Sequence, residues 1–174
     1  LGVWDKAWPE AIRVSVSPDG DMLALALNHP AGILAEALLE RLAVAKGEGD
    51  SGLPPDLKPR LDRIASEPAV AGRCARAMLF SRLTWFFSLD KFWVSTALLP
   101  KLDWADREEA AGAWQGFLWS SRVTSELWKH IKPRFLACFD HIVELGEAAE
   151  RLAPRFASVA IEGGSEALSP TEAT

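Results

Sequence analysis

Apolar residues recur at intervals of three and four along almost the whole chain, and they nowhere alternate long enough to make a strand with a partner. That period places one side of a helix against a core. Trp4, Ala7, Trp8, Ala11 and Ile12 share one such face over residues 4–14, where Pro9 is expected to mark the true helix start. Met22 to Leu27 is a short apolar run. Asn28 is placed to cap a helix through Leu42, with Pro30 tolerated in its first turn. His29 in the same stretch reads as local capping and packing. Residues 57–66 and 70–87 continue the pattern, and Asp90 caps a shorter helix that ends before Pro100. Asp106 with Glu109 has the spacing of a capping box. Residues 124–143 read as helix broken or kinked at Pro133, and 147–161 as the last complete helix. The one alternating stretch, "RVSVS" at 13–17, is too short to stand alone.

The expected fold is therefore all-α: eight or nine helices in stacked antiparallel pairs, an α-solenoid-like array of the degenerate TPR or HEAT type. Residues 1–174 form a single helical domain in this reading. Residues 46–55, "KGEGDSGLPP", are its flexible loop, and Ser17-Pro18-Asp19-Gly20 is a turn. Ser169, Pro170 and Glu172 spell a helix start with almost nothing after it. Residues 162–174 accordingly read as a linker into a truncated helix, and the chain as a piece of a longer protein.

Residues 107–120, "REEAAGAWQGFLWS", carry two glycines inside a helix. Each costs about 1 kcal/mol relative to alanine, so close packing must compensate. At 100° per residue, Ala110, Trp114, Phe117, Leu118 and Ser121 lie within about 60° of Trp114. Gly112, Gly116 and Trp119 fall on the opposite side, flanked by Glu108 and Gln115. A helix with a bulky face and a smooth one belongs between two layers of helices. Small residues four apart let a neighbouring backbone come close. Trp93, Trp114 and Phe117 are expected in the core; Asn28, Asp90 and Asp106 are expected to terminate helices.

A net charge of -5 argues against a nucleic-acid-binding surface. No apolar run reaches the roughly 18 residues that a membrane span needs. Two cysteines, Cys74 and Cys138, suggest no disulfide framework and fit a reducing cytoplasm. Cys138 and His141 have a chelating spacing, with His130 and Glu144 nearby, but zinc needs three or four convergent ligands and Pro133 separates His130 from the pair. No metal, cofactor or catalytic residue is assigned. Phosphate-loop, dinucleotide and nucleophile-elbow signatures are all missing. Tyrosine is absent while tryptophan occurs eight times. Most tryptophans fall on apolar stripes; Trp104 and Trp119 are the candidates for exposure, and with Gln115 and Arg122 they form the candidate protein-binding set. Exposed tryptophans are frequent interface anchors.

Two blocks carry a resemblance. "WFFSLDKFWVSTALLPKLDWADREEAAGAWQGFLWSSRVTSELWKHIKPRFLACF" (85–139) and "ALNHPAGILAEALLERL" (26–42) resemble helical regions, of unknown function, in large bacterial antiphage defence proteins. Those proteins carry a SIR2-like NAD-cleaving domain or a nucleotide-binding core. The resembling positions are Asn28 to Gly32, Asp90 with Trp93 and Leu98 to Pro100, and Ala113 to Trp119. The resemblance implies a helical segment attached to an NAD-consuming or nucleotide-hydrolysing effector in antiviral defence; the leading expectation is a non-enzymatic sensor or regulatory scaffold that binds a phage protein or another domain of its parent. It assigns no chemistry to any residue. A free-standing helical adaptor, or a helical domain that binds a small molecule or carbohydrate through its tryptophans, are the alternatives.

Overall fold

The computed structural model describes residues 2–17, 20–45, 52–120 and 122–163, and no strand occurs among them. The middle of the expected turn at 18–19, residues 46–51 of the expected loop, and the expected linker from 164 onward lie outside the described residues. The elements are α1 (Val3–Ala11), α2 (Met22–Asn28), α3 (Pro30–Ala45), α4 (Lys58–Ser66), α5 (Val70–Phe80) and α6 (Leu83–Leu89). Next come α7 (Lys91–Trp93), a π-helical turn Val94–Leu98 and a 3-10 turn Leu99–Leu102. The chain continues with α8 (Arg107–Ser120) and α9 (Ser125–Ala137), then α10 (Ile142–Leu145) and α11 (Leu152–Gly163), which follow 3-10 turns at Cys138–Asp140 and Gly146–Arg151. No single helix among the described residues is long and apolar enough to cross a membrane.

Helix α5 is the axis of the core. It packs against α2, α3, α4 and α8, and α2 also reaches α8. Its sequence explains the position, since Ala71, Gly72, Cys74, Ala75 and Ala77 are all buried and too small to hold neighbours away. Gly116 of α8 meets α5 so closely that a Cβ there would lie 2.3 Å from the Ala77 carbonyl oxygen. At Gly112 a Cβ would instead meet the Met22 side chain, at 3.1 Å. The smooth face of α8 therefore receives α5 and α2. Its other face carries Trp114 and Phe117, both fully buried and edge-on at 5.4 Å. Trp114 Nε1 donates to the Leu102 carbonyl (3.1 Å), and its ring meets Phe135 of α9 edge-on. Burying an indole of this size contributes roughly 4–6 kcal/mol as an upper estimate.

A buried ion pair joins the layers. Arg76 of α5 holds Glu109 of α8 through two hydrogen bonds of 2.6 Å, and its Nη1 donates to the carbonyls of Ile64 (3.0 Å) and Glu67 (2.5 Å). The capping box expected at Asp106 is thereby half made. The Asp106 side chain accepts from the Glu109 N–H (3.2 Å), but the Glu109 carboxylate is turned to Arg76 rather than back to the cap. A buried guanidinium is a stronger attractor than a solvated N–H.

Helix ends bring further corrections. Asn28 closes α2 instead of capping α3, its amide donating to the Ala24 carbonyl (3.3 Å). The α3 cap is His29, whose Nδ1 accepts from the Ala31 N–H (3.1 Å) while Nε2 lies 3.1 Å from the Val14 carbonyl. The chain bends by 83° there, and the bend brings Ala26 O within 2.0 Å of where a Gly32 Cβ would stand. Pro9 lies inside α1, not at its start. Residues 70–87 are two helices, interrupted at Ser81–Arg82 because the Ser81 hydroxyl bonds the Met78 carbonyl (2.7 Å). Pro133 sits within α9, exposed, and the carbonyl it leaves without a donor belongs to exposed Lys129, where water can serve it. Asp90 caps as expected: its Oδ1 accepts from the Trp93 N–H (2.8 Å), and buried Trp93 donates from Nε1 to Asp62 (2.7 Å).

Candidate functional site

The four residues expected to meet a partner do not converge on one spot. Trp104 precedes α8 and Trp119 lies in its last turn, so the two stand near opposite ends of a helix roughly 21 Å long at 1.5 Å per residue. The half-buried Trp104 stacks on His141 with ring centroids 4.1 Å apart. His141 in turn faces Glu144 at 3.3 Å. A hydrogen bond from its own backbone N–H, and then one from His141, hold the Glu144 carboxyl below its usual value. Gln115 works inside the fold rather than at its surface. It is 6% exposed, its Oε1 accepts from the Met22 N–H (2.7 Å), and its Nε2 donates to the Glu144 carbonyl (3.3 Å).

Trp119 and Arg122, by contrast, both lie near the C-terminal end of α8, Trp119 in its last turn and Arg122 just beyond it. Trp119 is 54% exposed, and the Arg151 guanidinium lies over its ring at 4.2 Å while donating to the Trp119 carbonyl (3.2 Å). Arg155 donates to the neighbouring Leu118 carbonyl (3.4 Å). Two cations thus serve the orphan carbonyls at the negative end of the helix. Arg151 also covers the indole ring, which stays half exposed. A Trp held in this way loses little conformational freedom on contact with a partner.

Three residues further on, within about 11 Å of extended chain, Arg122 lines an open groove of about 720 Å3. Its walls come from the α5–α6 break (Ser81, Arg82), from α6 (Thr84, Trp85, Phe87, Ser88), and from the entry to α9 (Thr124, Ser125, Glu126). Two hydrogen bonds stitch these walls together. The Ser120 hydroxyl donates to the Ser81 carbonyl (2.7 Å), and the Thr84 hydroxyl donates to the Arg122 carbonyl. Lys91 pairs with Glu126 across one side, lowering the Glu126 carboxyl value, and its ammonium lies over the Phe87 ring. Arg82, Lys91, Thr84 and Ser120 are the contributors that sequence reading missed. They are drawn from segments nearly forty residues apart, and the break that exposes Arg82 has no glycine or proline to announce it.

The metal-like spacing dissolves in three dimensions. Cys138 is fully buried, its thiol donating to the Arg134 carbonyl, and burial pushes its pKa up to about 12. His130 packs on Phe87 and His141 on Trp104. Among the described residues, no group of three or more His, Cys, Asp or Glu side chains is placed to hold a metal ion. The α8 end offers a half-exposed aromatic ring, and the groove that Arg122 lines offers cationic and hydroxyl donors. No family model matches the chain, and no curated protein or solved structure matches it.

Proposed function

We propose that this chain is a non-enzymatic helical protein-interaction module. In this reading it is the sensor or regulatory scaffold of a bacterial antiviral defence protein in the cytoplasm, and it binds a phage protein or another domain of its parent. The observation that carries the reading is Trp119, a half-exposed indole with Arg151 over its ring, three residues before the Arg122 that lines a polar groove. Rigid aromatic anchors beside arginine are the composition of interface hot spots. The resemblance of residues 26–42 and 85–139 to helical regions of SIR2-associated defence proteins supports the defence context. In the parent, the helices would continue as stacked antiparallel pairs in a solenoid-like array.

The mechanism is differential binding. A partner that prefers one arrangement of these helices shifts the parent toward its active state by as much as its affinities for the two arrangements differ. The test is to express the full open reading frame that carries this segment and challenge the cells with phage. Loss of protection in Trp119→Ala, with the melting temperature unchanged, is the expected result. Full protection by that variant, or stop codons directly flanking the segment, would overturn the reading.

A further inference from the structure

The chain carries 24 acidic against 19 basic residues, yet one groove runs against that balance. Three cations line it, Arg82, Lys91 and Arg122, and the only carboxylate among its lining residues is Glu126. Lys91 already holds Glu126, so Arg82 and Arg122 leave a formal charge of +2 among the lining residues, with Glu36 and Glu40 in the adjoining cavity that Arg82 also lines.

Most arginines elsewhere in the described chain are committed, Arg63, exposed on α4 and outside the groove, being the exception. Arg13, Arg41, Arg60, Arg73, Arg76, Arg107 and Arg134 each meet a carboxylate. Arg151 and Arg155 serve carbonyls of α8. Arg82 and Arg122 pair with no carboxylate among the described residues, and both face the same space. In an acidic protein, like-charge repulsion disfavours anions over most of the surface, and a local cationic trough is where an anion is focused.

We infer that this groove is a docking trough for an acidic peptide segment of the partner, whose carboxylates the Arg82 and Arg122 guanidinium groups take. The inference rests on the protein-interaction reading above and names the partner's chemistry at that surface. Planar guanidinium forks match carboxylates in bidentate geometry. The backbone that presents Arg122 is held by Thr84, and the break that presents Arg82 is held by Ser120. The positive end of α9, a helix of 13 residues capped by Thr124, opens on the same groove. Trp85 supplies an apolar wall for the stems of acidic side chains. The groove is open to solvent, which suits a peptide wet on one side better than an enclosed small molecule.

The test uses the whole 174-residue chain and a fluorescein-labelled hexaglutamate peptide, followed by anisotropy. Arg82→Gln and Arg122→Gln should each weaken binding about tenfold, and the pair more, as expected for lost charge-assisted hydrogen bonds. Arg63→Gln, at an exposed arginine of α4 outside the groove, should leave it unchanged. Rising salt should weaken the wild type and flatten the differences. Three results overturn the inference: no binding by the wild type at low salt, an equal loss in Arg63→Gln, or a single-stranded oligonucleotide that binds more tightly with the same arginine dependence. Trp119→Ala, outside the groove lining, separates the two proposals. If it loses the partner but keeps hexaglutamate, the groove stands. If hexaglutamate fails while the partner still depends on Trp119, only the groove assignment falls.

Discussion

Gly116 and Gly112 undergo the same substitution on the same helix, and the packing requires opposite outcomes. Gly116→Ala would set a Cβ 2.3 Å from the Ala77 carbonyl oxygen and 3.0 Å from Ala77 C and Cα. All three are backbone atoms of α5, so no side chain can swing away. An ordinary contact requires α5 and α8 to part by about 1 Å, within a core where such overpacking costs about 1–3 kcal/mol. The better helix propensity of alanine returns only about 1 kcal/mol. With backbone as the obstacle the upper end applies, a net loss of about 2 kcal/mol, or roughly 4–8 °C in Tm for a domain of this size. Gly112→Ala meets the Met22 side chain at 3.1 and 3.3 Å. That flexible thioether can yield a few tenths of an ångström, so most of the propensity gain survives, and Tm should rise by roughly 1–4 °C. Thermal unfolding followed by circular dichroism of the two single variants decides it. A Gly116→Ala protein as stable as Gly112→Ala would refute the close α5–α8 approach on which the core rests.

Three other outcomes follow from the same contacts. Glu109→Ala strands the Arg76 guanidinium, itself 1% exposed; such a loss costs about 3–5 kcal/mol, which a urea titration of variant and wild type will measure. His29→Ala should cost about 0.5–2 kcal/mol by removing the α3 cap, whereas Asn28→Ala should fall within about 0.5 kcal/mol of wild type in the same titration because its amide is exposed. Acidification should release α1 from α4: the hydrogen bond from Arg60 holds the Asp5 carboxyl below its ordinary 3.8. Because the folded value is depressed, this contact stabilises above pH 3.8 and is lost as pH falls below it. The fluorescence of the stacked Trp4–Trp8 pair should change in that range and should not in Asp5→Asn.

Local signals carried the helical class well, because spacing and caps are written in neighbouring residues. Asp90 capping Trp93 and the two-faced α8 follow directly from them. Long-range commitments were not legible. Glu109 has capping-box spacing, and nothing local shows that Arg76, thirty-three residues earlier, will take its carboxylate. Gln115 looks like a surface polar residue until α2 and α10 close over it. The Ser81 break hides in an apolar run because a serine back-bonding its own helix leaves no pattern in sequence. The same holds at the site. Trp119 was identifiable as an aromatic on the smooth side of a helix, but the arginine over its ring comes from residue 151, and the groove that Arg122 lines is built from α6 and the entry to α9.

Hydrogen–deuterium exchange on the proposed full-length parent, with and without the proposed phage partner, tests the interaction reading most directly. Slowed exchange should cover 116–126, from the end of α8 through the entry to α9, and Trp119→Ala should abolish it. Exchange unchanged over 116–126, with protection confined to other helices, would contradict the assignment of this surface to the partner.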